Sequence, residues 1–135
     1  MAPLYREGVR RYLAGELCHA RPQDHSQATY SIWRDEDDYR IEWSESAERI
    51  ERTVRALGPP YLGARSRLGG REVVIHRVEV EADLPFAIRQ PGKVWSLDPE
   101  GRPSVVCGSG LVKVVEASAD GKSILPLKAL RLRFG

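Results

Sequence analysis

The chain has 135 residues, of which 41% are hydrophobic and 30% charged, a balance that suits one folded domain and excludes a disordered tail. Twenty-one Lys and Arg against nineteen Asp and Glu leave a net charge of +2, too even to announce a nucleic-acid binder by composition. No apolar run nears the ~18 residues of a membrane-spanning helix, and the opening MAPLYREGVRR lacks the apolar stretch of a secretory signal.

The first segment reads as a helix. Tyr5, Val9, Tyr12, Leu13 and Leu17 recur at three- and four-residue steps, and Pro3 suits a first turn, where its missing N–H costs nothing. The stripe Val9, Leu13, Leu17 must pack on something, in this chain or a neighbour. Residues 20–29 (ARPQDHSQAT) are polar and aperiodic and read as an extended linker. Past the acidic turn Asp35–Asp38, Tyr39, Ile41 and Trp43 alternate with Arg40 and Glu42, which predicts a strand.

Ser44 is placed to cap the next helix. Ala47, Ile50, Val54 and Leu57 form its buried stripe, and Glu45–Arg49, Glu48–Arg52 and Glu51–Arg55 pair on its wet side. Gly58 and Pro59-Pro60 end it. From Gly63 onward the pattern is β. Strands over 64–68 and 71–82 flank the turn Gly69-Gly70. The second is long and changes its facing pattern at His76, which predicts a bend. Residues 83–91 form a loop, and strands over 93–97 and 103–107 flank the turn Asp98–Arg102. A strand over 111–117 follows the turn Gly108–Gly110, Asp120-Gly121 is a further turn, and Leu130, Leu132 and Phe134 alternate with Arg131 and Arg133 in a last short strand. Short strands at this spacing predict a small barrel.

Little in the chain offers chemistry. Cys18 and Cys107 lie too far apart for a disulfide framework and read as reduced thiols in a cytoplasmic protein. With His19, His25 and His76 they show no metal-ligand spacing, so no metal is expected. Asp24-His25-Ser26 are adjacent and point in opposing directions along an extended segment, unlike a triad. Gly108-Ser109-Gly110 precedes a strand, where a phosphate loop would open a helix. Arg65, Arg67, Arg71, Lys93, Lys113, Arg131 and Arg133 fall on strands or turns beside Tyr61 and Trp95. Cations and aromatics on a barrel face suit a nucleotide or single-stranded nucleic acid, and an ordinary polar surface is the simpler alternative.

Several blocks stand in a telling order: Arg21-Pro22-Gln23, Ala28-Thr29-Tyr30, Arg40–Ser44, Ala47–Ile50, Val54–Leu57, Tyr61–Ala64, then Pro91–Val94 and Val105–Gly110. Together they resemble the C-terminal domain of methionyl-tRNA formyltransferases and their sugar-amine N-formyltransferase relatives. The resemblance implies a mainly β fold with α: a small OB-like β-barrel with one packed helix, preceded by an N-terminal helix and extended linker. It implies that residues 1–19 end a catalytic domain, 20–29 are the linker and 30–135 the barrel. The family's catalytic unit uses an Asn-His-Asp set and 10-formyltetrahydrofolate. This chain holds no asparagine, so no catalytic residue and no cofactor are expected within it.

The reading is therefore a non-catalytic accessory domain that positions a sugar nucleotide or a formyl-acceptor tRNA for a separate catalytic domain, or mediates subunit contacts. The small net charge, the acidic turn and the strand-like C-terminus lean it toward a non-tRNA relative. Tyr30, Trp33, Trp43, Tyr61, Arg65 and Lys93 are the expected ligand or interface residues. Two alternatives stand beside it, a purely structural module that forms homodimers through Val9, Leu13 and Leu17, and a tRNA-binding domain.

Overall fold

A computed structural model describes residues 2–16 and 21–135. It divides into two units, Met1–Trp33 and Arg34–Gly135. The first holds helix α1 (Ala2–Leu13). Arg10 and Arg11 in its last turn suit the negative dipole end, and Glu7 pairs with Arg10 at 2.8 Å. Gly15 stops it: at φ +70° its N–H reaches the Tyr12 carbonyl while Glu16 N–H reaches Arg11, a left-handed C-terminal cap. The helix thus ends before Leu17, which lies outside the described residues, as do Cys18 and His19. In the linker, Asp24 caps a single 3-10 turn, His25–Gln27, by accepting from the Ser26 N–H.

The second unit opens with the acidic turn. Asp38 accepts from the Asp35 N–H and Asp35 from the Asp37 N–H, each at 2.9 Å, around the 3-10 turn Asp37–Tyr39. The expected strand through Tyr39, Ile41 and Trp43 does not form a ladder. Ile41 N–H donates to Arg65 O in an isolated bridge, yet the alternation holds, with Ile41 and Trp43 buried and Arg40 and Glu42 exposed.

Helix α2 (Ala47–Ala56) is capped by Ser46, not Ser44: Ser46 Oγ accepts from Arg49 N–H. The Ser44 hydroxyl instead donates to Glu42 at 2.7 Å. The start of α2 is tied to the turn Gly108–Gly110, where Ala47 N–H meets Ser109 O and Gly108 N–H meets the Trp43 and Glu45 carbonyls. A Cβ on Gly108 would overlap the Ser44 carbonyl, so this glycine serves close backbone approach. Glu45–Arg49 and Glu51–Arg55 form ion pairs at 2.6 and 3.3 Å, whereas Arg52 turns to the Glu48 carbonyl.

Ala47, Ile50, Val54 and Leu57 lie buried on the sheet. Its strands are β1 (Ala64–Leu68), β2 (Arg71–Glu81), β3 (Val94–Leu97), β4 (Pro103–Val106), β5 (Leu111–Ala119) and β6 (Lys122–Ser123). They run antiparallel in the order β1-β2-β5-β4-β3, with β6 on β5. The β2–β5 register slips around His76, the bend expected there.

The fold is thus mainly antiparallel sheet with two helices, and its ladder is open: β1 and β3 are edges that do not pair with each other. The last residues run between those edges. Leu68 bridges Phe134 and Lys93 bridges Arg133. Arg67 and Gly135 exchange backbone bonds of 2.7 and 2.9 Å, while Val94 N–H reaches Leu132 O at 3.1 Å. The gap that a barrel would close by a ladder is spanned here by single bridges, because the chain bends at Leu130 and Arg131, where Leu132 N–H bonds Leu130 O, and Phe134 turns inward. Phe134 is buried against Trp43, ring centroids 5.3 Å apart.

Candidate functional site

The seam between the two edge strands is where unneutralised charge collects. Along the last stretch Phe134 faces the core, so Arg131 and Arg133 face outward, and both are exposed. On β1 the inward residue is Ser66, which leaves Arg67 outward beside Gly135. At the start of β3, Val94 is buried while Lys93 and Trp95 are exposed. Past Leu130 and Arg131, where the chain bends and Leu132 N–H bonds Leu130 O at 2.8 Å, Lys93 stands across from Arg133. Like charges opposed in this way destabilise an antiparallel pair by roughly 0.2–1 kcal/mol. Among the described residues, no carboxylate lies within ion-pair distance of Arg67, Lys93, Arg131 or Arg133. An anion supplied from outside would relieve that repulsion.

The structure sorts the basic residues that the sequence groups together. Arg65 is held by Glu36 and lies over the Tyr39 ring. Arg71 pairs with Asp120 at 2.6 Å and Lys113 with Glu81 at 3.0 Å, and the Glu81 carboxylate raises the Lys113 pKa. These three are internally satisfied. The other four form the seam, beside a groove lined by Lys93, Leu130, Arg131 and Arg133.

Of the expected interface residues, only Lys93 belongs to this seam. Trp43 is a correction: it is 4% exposed and its indole N–H donates to Ser66 Oγ at 3.0 Å, so it is core. Tyr61 is half-exposed beneath the Arg34 guanidinium, 5.4 Å away. Tyr30 and Trp33 are exposed in the first unit, as are Val9 and Leu13 of α1. Arg67, Arg131 and Arg133 lay within the broader basic set but outside the narrower choice. The chain alone could not show which cations have partners.

The loop after β2 supports the seam's aromatic. Arg89 donates to the Cys107 and Gly110 carbonyls at 3.0 and 3.3 Å and to Asp83 at 2.6 Å. Its guanidinium lies 5.3 Å from the Phe86 centroid, and Phe86 meets Trp95 edge to face at 5.1 Å. Nothing in the residue pattern of 83–91 marks Arg89 for this role.

Other chemistry is meagre among the described residues. Cys107 is buried, and burial pushes its thiol up to about 12, so it holds its proton at neutral pH and is no nucleophile. His76 Nε2 and Ser118 Oγ lie 2.7 Å apart, without a carboxylate to orient the ring. No helix of the described residues is long and apolar enough to cross a membrane.

Comparison with known proteins gives this geometry a setting. Residues 34–133 match the family described as formyl transferase, C-terminal domain. A methionyl-tRNA formyltransferase of Sorangium cellulosum is 33% identical over 99% of this chain and 42% of its own length. One of Roseiflexus is 34% identical over 96% of this chain and 39% of its own. The chain thus spans about two-fifths of the length of these relatives. A HypX structure from Aquifex aeolicus shares the fold at TM-score 0.55 and 18% identity, covering 89% of this chain and 20% of that one.

Proposed function

The chain belongs to the formyl transferase C-terminal domain family, and from that premise we propose that it is an accessory domain that holds a formyl-acceptor tRNA for a separate catalytic domain. The observation that carries this reading is the seam, where Lys93, Arg131 and Arg133 lie exposed without an ion-pair partner among the described residues, with Arg67, which faces Glu72 of β2, beside them. A net charge of +2 understates such a site, since phosphate recognition depends on local charge. The relatives named above as methionyl-tRNA formyltransferases favour RNA over the sugar nucleotide toward which the sequence leaned. Catalysis and 10-formyltetrahydrofolate belong, in this reading, to the other domain.

Filter binding of a formyl-acceptor tRNA across salt tests the proposal. Binding should weaken steeply as salt rises, and each of Arg131→Ser, Arg133→Ser and Lys93→Gln should lower the salt slope by about one. Absence of salt-sensitive binding, or competition by a sugar nucleotide alone, would refute it. The exposed apolar stripe of α1 favours a second reading, docking on another protein surface. Light scattering that shows a strictly monomeric chain would count against self-association through it.

A further inference from the structure

Resting on the reading of the seam as an RNA site, we infer that Trp95 is a stacking platform for an unpaired base, flanked by phosphate-binding Lys93, Arg131 and Arg133. Trp95 is 53% exposed on β3, two residues after Lys93, which pairs across the seam with Arg133 and lines one groove with Arg131 and Arg133. A tryptophan that merely roofed a loop would be covered by that loop. This one meets Phe86 edge to face and keeps half its surface open. It is also braced. Phe86 sits against the Arg89 guanidinium, and Arg89 is fastened to the Cys107 and Gly110 carbonyls and to Asp83. Little side-chain entropy is then left to lose when a base stacks, which is the condition for a rigid aromatic anchor. The ring interacts with any base through its π-face, while the neighbouring cations supply the attraction to the backbone. A paired base inside a duplex cannot present its face. The site therefore selects unpaired or splayed-out nucleotides, where the cations alone would grip any phosphate backbone.

The test compares two probes on the whole chain, a single-stranded oligoadenylate of about 10 nucleotides and a blunt RNA duplex with the same number of phosphates. Trp95→Ala should weaken oligoadenylate binding roughly ten-fold at every salt concentration, leaving the salt slope unchanged. The same variant should bind the duplex as the parent does. Trp95→Phe should keep most of the affinity. Trp95→Leu, which preserves apolar packing on Phe86 without a π-face, should lose it, and this guards against misfolding of the alanine variant. Equal losses on both probes, or a leucine variant that binds like the parent, would overturn the stacking role. If tRNA binding is salt-sensitive but indifferent to Trp95, only this inference fails. If tRNA does not bind at all, the reading of the seam fails with it.

Discussion

Ser66 shows how much one small side chain decides in this core. It is 2% exposed, and its hydroxyl accepts the Trp43 indole N–H while contacting the Gly135 carbonyl. Ser66→Ala would leave a buried N–H without a partner, and urea unfolding should show a loss of about 1–3 kcal/mol. Lys93 makes the opposite case. It faces Arg133 and gains nothing from the fold, so Lys93→Gln should leave thermal stability equal or slightly raised, by up to about 1 kcal/mol, while RNA binding weakens. A residue that stabilises the free chain when removed and weakens binding is one kept for a ligand. That split, read by calorimetry beside filter binding, separates the seam from an ordinary polar surface.

Among the elements, the last five residues do more than their length suggests. They have no ladder of their own, yet they bridge β1 and β3 and carry Phe134 into the core against Trp43. Phe134→Ala should cost about 3–5 kcal/mol, and hydrogen exchange should show β1 and β3 loosening before the central β2–β5 pair. An unchanged exchange rate at Arg67 and Val94, which bond to this segment, would argue that the seam is incidental. Helix α2 teaches a related lesson. Its amphipathic stripe was legible in the spacing of Ala47, Ile50, Val54 and Leu57. Its cap was not, because Ser44 and Ser46 are equally good cap residues and the choice lies with the Gly108–Gly110 turn that holds the chain at Ser109.

At the scale of the whole molecule, the buried core among the described residues draws on the second unit, from Ile41 to Phe134. A fragment of residues 34–135 should therefore unfold in one cooperative transition with coincident far- and near-ultraviolet signals. Acid should weaken it in a defined way. The Arg89 guanidinium holds the Asp83 carboxyl below its usual range. Burial pushes Asp98 up, but the Arg102 N–H and guanidinium outweigh it and the carboxyl ends lower than usual. A depressed folded pKa contributes stability that is complete above the unfolded value of about 3.9 and fades as pH falls through the folded one. Unfolding free energy should therefore decline as pH falls below about 3.9, and Asp98→Asn should flatten that decline. A pH profile indifferent to this substitution would show that the Asp98–Arg102 pair does not couple to folding.

Periodicity and turn chemistry were enough to read both helices, the glycine turns, the β2 bend at His76 and the mainly antiparallel sheet, because each depends on residues within a few positions of one another. The seam was not readable in that way. Whether a cation is neutralised depends on a partner far along the chain, as Arg65 depends on Glu36 and Arg71 on Asp120. Trp43 and Trp95 likewise sit in similar alternating stretches, and only the packing of Phe134 on one and the open face of the other separate core from surface. Local pattern determined the elements. Long-range pairing decided which charges and which rings were left for a ligand.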